Sequence, residues 1–150
     1  MPHDDHTHVP HQHKARAPAS AKVYVVTCSD SRTAETDEGG RIIKALLADG
    51  GHAIAGSVII PDEPSRIARE LQRAREAEAQ IALITGGAGI TSRDSTFEAV
   101  SAAMLSRAVA GVTQDGLIVF AMPGSPAAVR LACERLILPE LGHLLEELGR

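Results

Sequence analysis

A chain of 150 residues, 44% of them hydrophobic, is long enough to bury one real core and too short for two ordinary domains. Its formal charge of −4 and its small aromatic set, Tyr24, Phe97 and Phe120, exclude a broad basic field or a base-stacking platform, so nucleic acid is not an expected partner. No apolar run approaches the ~20 residues of a membrane helix, no signal-peptide pattern is present, and Cys28 and Cys133 lack CxxC spacing and suit reduced thiols; the expected setting is cytoplasmic, without a membrane partner.

Residues 1–21 hold five of the seven histidines (His3, His6, His8, His11 and His13), three prolines and almost no large apolar side chain. Such a segment cannot offset the entropy of ordering and reads as a disordered tail, with residues 22–150 as the folded domain. From Lys22 onward short apolar runs alternate with helical stretches, the signature of parallel βαβ units. Lys22–Cys28 reads as a buried strand, and Arg41–Ala48 as a helix with Ile42, Ile43, Leu46 and Leu47 on one face, stopped by Gly50-Gly51. Ala55–Ile60 is a second strand. Pro61-Asp62-Glu63-Pro64 then leads into a helix with Ile67, Ala68 and Leu71 inward, Ser65 or Asp62 as its cap, and Arg69, Glu70, Arg73 and Glu76 on its charged surface.

Ile81–Thr85 forms a third strand running straight into Gly86-Gly87-Ala88-Gly89. A helix over Thr96–Leu105 follows, then a short strand at Ala108–Thr113 and a buried one at Leu117–Ala121. Gln114-Asp115-Gly116 between them is a hairpin turn, which makes that pair antiparallel. After Pro123-Gly124-Ser125-Pro126 comes an amphipathic helix carrying Val129, Leu131, Ala132 and Leu136, bent or broken near Pro139, and a last helix through Leu148. The expected architecture is α/β: three layers, α/β/α, around a mostly parallel sheet with one antiparallel hairpin.

In such a sheet ligands bind beyond the carboxyl ends of the strands. The unusual segments all lie there: Ser29-Asp30-Ser31-Arg32, Pro61-Asp62-Glu63, the glycine loop with Arg93-Asp94, and Pro123-Gly124-Ser125-Pro126. Gly86, Gly87 and Gly89 allow backbone N–H groups to approach an anionic oxygen closely, or form a plain tight turn. The loop is neither a P-loop nor a dinucleotide fingerprint, because Gly-Lys-Ser/Thr and GxGxxG are both absent. Asp62 and Asp94 follow different strands and suit a magnesium ion bridging nucleotide phosphates, or cap helices. Arg93 is a phosphate clamp or a solvated surface cation. Ser125 faces an anion or caps its own helix. Apart from the tail the histidines are His52 and His143, which supply no Ser/His/Asp set, so nucleophilic hydrolysis is not expected.

Taken together, Thr27-Cys28-Ser29-Asp30, Asp37-Glu38-Gly39-Gly40, Ile60-Pro61-Asp62-Glu63, Thr85-Gly86-Gly87-Ala88-Gly89 with Arg93-Asp94, Ser106-Arg107-Ala108-Val109-Ala110-Gly111 and Met122-Pro123-Gly124-Ser125-Pro126 resemble the MoaB/Mog family of molybdenum cofactor biosynthesis. The resemblance implies a homo-oligomer, a trimer or a hexamer, that binds molybdopterin. Its catalytic branch adenylylates that pterin from MgATP, so Mg2+ and ATP are implied beside it. By motif matching, Gly86, Gly87, Gly89 and Ser125 contact the pterin or its phosphate, Asp62 and Asp94 are the catalytic and Mg2+-orienting pair, and Ser29, Asp30, Arg93 and Gly124 are further binding candidates. The chain departs from the family pattern in three places. Ala88 stands for a threonine, Gly39 stands for a serine, and the segment that elsewhere separates the Arg-Asp helix from the SRAVAG strand is missing between Val100 and Ser106. Two further readings stand beside adenylyl transfer: a non-catalytic pterin-binding or scaffold protein of the same fold, and a metal-handling module built on the histidine tail.

Overall fold

The computed structural model describes residues 20–86 and 109–149. The histidine-rich stretch through residue 19, Gly87, Gly89, Arg93, Asp94 and the helix expected over Thr96–Leu105 lie outside the described residues. Five strands form one sheet in the order β2-β1-β3-β5-β4: β1 (Lys22–Cys28), β2 (Ala53–Ile60), β3 (Ile81–Thr85), β4 (Val109–Val112) and β5 (Ile118–Met122). The β1–β2, β1–β3 and β3–β5 pairs are parallel. The β4–β5 pair is the expected antiparallel hairpin, its loop held by the Thr113 N–H bonded to the Leu117 carbonyl at 2.9 Å.

The central strands are apolar throughout because both sheet faces are covered. Val23, Val25, Ile81, Leu83, Ile118 and Met122 point to one face, where α1 (Glu38–Asp49), α3 (Pro126–Ala132) and α4 (Leu141–Glu147) pack. Tyr24, Val26, Cys28, Ala82, Ile84, Val119 and Ala121 point to the other, covered by Ile67 and Ala74 of α2 (Pro64–Glu76). This is the three-layer α/β arrangement expected from the alternating pattern.

Several elements differ in detail from the sequence reading. β2 begins at Ala53, two residues earlier than expected, and its register against β1 skips Ala55. The skip places Gly56 beside Tyr24, where a β-carbon would lie 2.5 Å from the ring. Ala21, assigned to the tail by composition, is buried; its N–H reaches His52 Nδ1 at 3.0 Å and its carbonyl accepts from Ala53. α1 begins at Glu38, not Arg41, and ends with Gly51 at φ +77° as its left-handed stop. α2 is preceded by Glu63 without a side-chain cap, so neither Asp62 nor Ser65 caps it; Pro64 supplies a favourable first position instead.

Ala68 is exposed and Glu70 is buried, the reverse of the sequence reading. Glu70 is held inside because the Tyr24 hydroxyl donates to its Oε2 at 2.8 Å and Arg73 Nη1 to its Oε1 at 2.7 Å. After α3 the chain widens into a π turn over Cys133–Ile137 and a short 3₁₀ turn over Leu138–Glu140. Val129, Cys133 and Ile137 face inward; Leu131, two residues after Val129, is 62% exposed by ordinary helix geometry and Leu136, within the wider turn, is 67% exposed, correcting their expected placement on the apolar face.

Candidate functional site

The ends of β1, β3 and β5 run out at one edge of the sheet, and what meets there is main chain. Gly86, directly after β3, has φ +85° and sits so close to β1 that a β-carbon would fall well inside 3.0 Å of the Cys28 carbonyl oxygen. Its N–H donates to the Met122 carbonyl at 3.2 Å, carrying the β3–β5 pairing one step past the strand. Gly124, after β5, lies against it: a β-carbon there would be 3.0 Å from the Gly86 Cα. Gly39, in the first turn of α1, stacks on the same spot, its β-carbon position 3.4 Å from the Gly124 carbonyl oxygen and 3.8 Å from Thr85 Oγ1. Buried Thr85 donates from that hydroxyl to the Pro123 carbonyl at 3.3 Å. Three glycines from three chain segments thus form a glycine floor, Gly86 and Gly124 in close main-chain approach and buried Gly39 behind them beside Val129.

The loops around this floor are braced by hydroxyls and carboxylates. The Ser29 N–H donates to the Ile60 carbonyl at 2.9 Å, and Ser29 Oγ accepts from the N–H groups of Ser31 and Arg32 at 3.2 and 3.1 Å. Asp30 Oδ1 accepts from the Asp62 N–H at 3.4 Å, which joins the loops after β1 and β2 and brings two of the expected acids side by side. Ser125 realises the capping alternative: its Oγ accepts from the Ala128 N–H at 3.3 Å at the start of α3. Of the residues singled out by sequence, the structure therefore gathers Gly86 with Gly124 and Ser125, and Ser29 and Asp30 with Asp62. Gly87, Gly89, Arg93 and Asp94 lie outside the described residues.

Asp37 and Thr27 were not among the site candidates, yet both are buried at this edge. Asp37 caps α1, Oδ1 accepting from the Gly40 N–H at 3.0 Å and Oδ2 from the Thr27 hydroxyl at 2.8 Å. The available signal was an aspartate placed just before a helix, a standard capping position; the glycine pair after it obscured where the helix starts.

The loops spanning 29–38 and 61–63 carry six acids, Asp30, Glu35, Asp37, Glu38, Asp62 and Glu63, against one arginine, Arg32. Arg66 pairs with Glu63 at 3.8 Å and Arg41 reaches the Glu35 carbonyl from outside these loops. Among the described residues no three His, Cys, Asp or Glu side chains converge into a self-sufficient metal site. Magnesium does not require one, since it is commonly held by one or two carboxylates with water and substrate phosphates. Asp30 and Asp62 are carboxylates of that kind at this edge, joined through the Asp62 N–H. Elsewhere the described residues show an open apolar cleft of about 210 Å³ between β5 and the π turn, bordered by Ala110, Phe120, Met122 and Leu136. They include no helix long and apolar enough to cross a membrane.

Residues 24–143 match the family model described as a probable molybdopterin binding domain. Molybdenum cofactor biosynthesis protein B of Halalkalibacterium halodurans is 39% identical over 163 aligned positions, covering 91% of this chain and 95% of that protein. A crystal structure of Molybdenum cofactor biosynthesis protein B superposes with a TM-score of 0.82 at 37% identity, covering 90% of this chain and 99% of that one. The tungsten cofactor synthesizing protein MoaB from Pyrococcus furiosus superposes with a TM-score of 0.77 at 27% identity, covering 89% and 100%. With most of its length matched in sequence and in fold, the chain belongs to the probable molybdopterin binding domain family of molybdenum cofactor biosynthesis proteins.

Proposed function

We propose that this protein binds molybdopterin at the carboxyl edge of its sheet and adenylylates its terminal phosphate from MgATP. The observation that carries the reading is the contact of Gly86 with Gly124 over Gly39. A glycine floor lets a flat ring or a phosphate approach the main chain closely, although the Gly86 N–H itself is given to the Met122 carbonyl. In the reaction an oxygen of the pterin phosphate attacks the α-phosphorus of ATP, a new P–O bond forms, the bond to the β-phosphate bridge breaks, and pyrophosphate leaves. The protein's work is then positioning and charge neutralisation.

Asp62, with Asp30 beside it, is the described carboxylate suited to Mg2+; Asp94 joins it by motif resemblance, as Gly87, Gly89 and Arg93 join the phosphate loop. When bound, Mg2+ offsets the charge of the nucleotide phosphates against the acidic rim. Ser29 and Ser125 border the floor with hydroxyls that already accept from main-chain N–H groups, and each keeps its own proton to donate. The proposed assembly is a homo-oligomer, a trimer or a hexamer. Outward-facing Leu131 and Leu136, with Val112 54% exposed on the edge strand, are large apolar side chains open to water, which supports an assembly that covers them.

One observation favours a second reading, a pterin holder that does not transfer adenylate. The 163 positions aligned with the Halalkalibacterium protein outnumber the 150 residues of this chain, so that relative carries residues with no counterpart here. The deciding measurement is pyrophosphate release from MgATP with and without molybdopterin, for the intact chain and for Asp62→Ala and Asp94→Ala, with pterin binding measured on all three. Pterin-dependent release lost in the variants supports adenylyl transfer. Binding without release supports the holder, and no binding refutes both.

A further inference from the structure

We infer that Asp37 and Thr27 form a positioning clamp that sets the glycine floor of the pterin site; this rests on the reading above and extends it to residues with no assigned role. Both side chains are buried, 7% and 4% exposed, Asp37 at the cap position before α1 and Thr27 in β1. The carboxylate is satisfied on both oxygens, by the Thr27 hydroxyl at 2.8 Å and the Gly40 N–H at 3.0 Å. A buried carboxylate costs a great deal unless so bonded, which makes this geometry well defined.

The clamp works only because residue 40 is glycine. A β-carbon there would overlap the Asp37 carboxylate and lie 3.0 Å from Thr27 Oγ1. Pulled in this close, the first turn of α1 faces Gly39 to the Gly124 carbonyl and the Val129 side chain, with space for no more than a methyl group between them, and Gly124 in turn rests on Gly86. The path from Asp37 to the floor therefore runs through the main chain of Gly39, Gly124 and Gly86, with the buried Val129 and Thr85 side chains beside Gly39. If α1 moves, Gly124 loses its backing and the separation of Gly86 from Gly124 changes. Neither Asp37 nor Thr27 need touch ligand for this.

The series that tests it separates hydrogen bonding from bulk and charge. Thr27→Val and Asp37→Ala remove the bond; Thr27→Ser and Asp37→Asn keep it, the Asn amide donating to the hydroxyl and its oxygen still accepting from Gly40. Two readouts are taken well below the unfolding temperature of each variant: molybdopterin affinity, and hydrogen exchange of the Gly86 amide, which lies outside the clamp. The expected result is affinity weakened about tenfold or more, with faster Gly86 exchange, in Thr27→Val and Asp37→Ala, and near wild-type behaviour in Thr27→Ser and Asp37→Asn. Variants that lose thermal stability while affinity and Gly86 exchange stay at wild-type values would overturn the clamp and leave a purely structural pair. If the intact chain shows no molybdopterin affinity, the proposed function fails by itself, and Gly86 exchange across the series still decides whether the clamp sets the floor.

Discussion

Replacing Gly86 with alanine should be among the most damaging single-methyl additions available in this chain, and its cost can be worked from two separate causes. The first is conformational: φ at Gly86 is +85°, where an L side chain costs about 1–2 kcal/mol. The second is steric, because the new β-carbon would sit well inside 3.0 Å of the Cys28 carbonyl oxygen. That neighbour is backbone in a central, doubly covered strand, so it cannot swing away; forcing an extra methyl into such packing costs about 1–3 kcal/mol. The sum is about 2–5 kcal/mol, a large share of the roughly 5–15 kcal/mol that holds a domain folded. Gly51 provides the internal control, since it has φ +77° with nothing within 4 Å of a β-carbon, and Gly51→Ala should cost the conformational part alone, about 1–2 kcal/mol. Gly39→Ala meets only ordinary contact at 3.4 Å and gains helix propensity of up to about 1 kcal/mol, so it should be near neutral or mildly stabilising. Urea unfolding of the three variants, analysed for midpoint and slope, measures the ranking. A Gly86→Ala penalty no larger than that of Gly51→Ala would mean that the β1–β3 edge has room to move, and the rigid main-chain floor would be wrong.

Three shorter expectations follow from the same contacts. Burial holds the His52 imidazole below its ordinary titration range, and its Nδ1 accepts from the Ala21 N–H. The folded state therefore binds fewer protons than the unfolded one below about pH 6.5, and stability is full above that value and falls as the pH drops toward the lowered folded value. The melting temperature of the intact chain should fall toward that of His52→Asn between about pH 7.5 and about pH 5.5, and a pH-independent difference would refute the link. Tyr24→Phe should cost about 1.5–3 kcal/mol in denaturant unfolding, because one oxygen of the buried Glu70 carboxylate loses its donor; a negligible loss would show that water reaches Glu70 in place of the hydroxyl. If the proposed oligomer forms through this face, Leu131→Glu combined with Leu136→Glu should shift sedimentation to the monomer without lowering monomer stability, since both side chains are more exposed than buried; an intact chain that already sediments as a monomer, or an oligomer of unchanged mass in the variant, would refute this.

Where the sequence pattern was reliable, a physical reason can be named. Lys22–Cys28 and Ile81–Thr85 were legible to the residue because strands covered on both faces are apolar throughout and end abruptly at polar or glycine residues. β2 was legible from Ala55 onward but not at its start: as an edge strand it leaves Ala53 and Ile54 exposed, and nothing local marks where its pairing with β1 begins. Glu70 read as surface because its partner, Tyr24, lies 46 residues away, a separation that periodicity does not reach. The same holds at the site. Gly86 and Gly124 were visible as glycines in strand-end loops, whereas Asp37 gains its role from Thr27 ten residues earlier and from the space left by Gly40.

The carboxyl-terminal helices show how a small break in period changes a surface. In an uninterrupted α-helix Leu136, seven residues after Val129, returns almost to the same side, which is why the pattern placed it in the core. The buried positions instead recur every four residues, Val129, Cys133, Ile137, Leu141 and Leu145, each at most 4% exposed. A regular helix advances about 40° beyond a full turn in four residues, so over four such steps the apolar side would rotate by about 160° away from the sheet. The wider turn at Cys133–Ile137 takes up part of that excess, with the Leu138 N–H reaching back to the Cys133 carbonyl. Pro139 lies in the 3₁₀ turn that follows, and because it has no N–H it cannot continue the regular ladder. The extra residue in the turn lets Ile137 take the inward place and moves Leu136 out beside Leu131. Leu136 reaches the surface as the geometric consequence of keeping a four-residue repeat against a flat sheet, whereas Leu131, two residues after Val129, faces outward in any regular helix; these two leucines are where the proposed oligomer contact is tested.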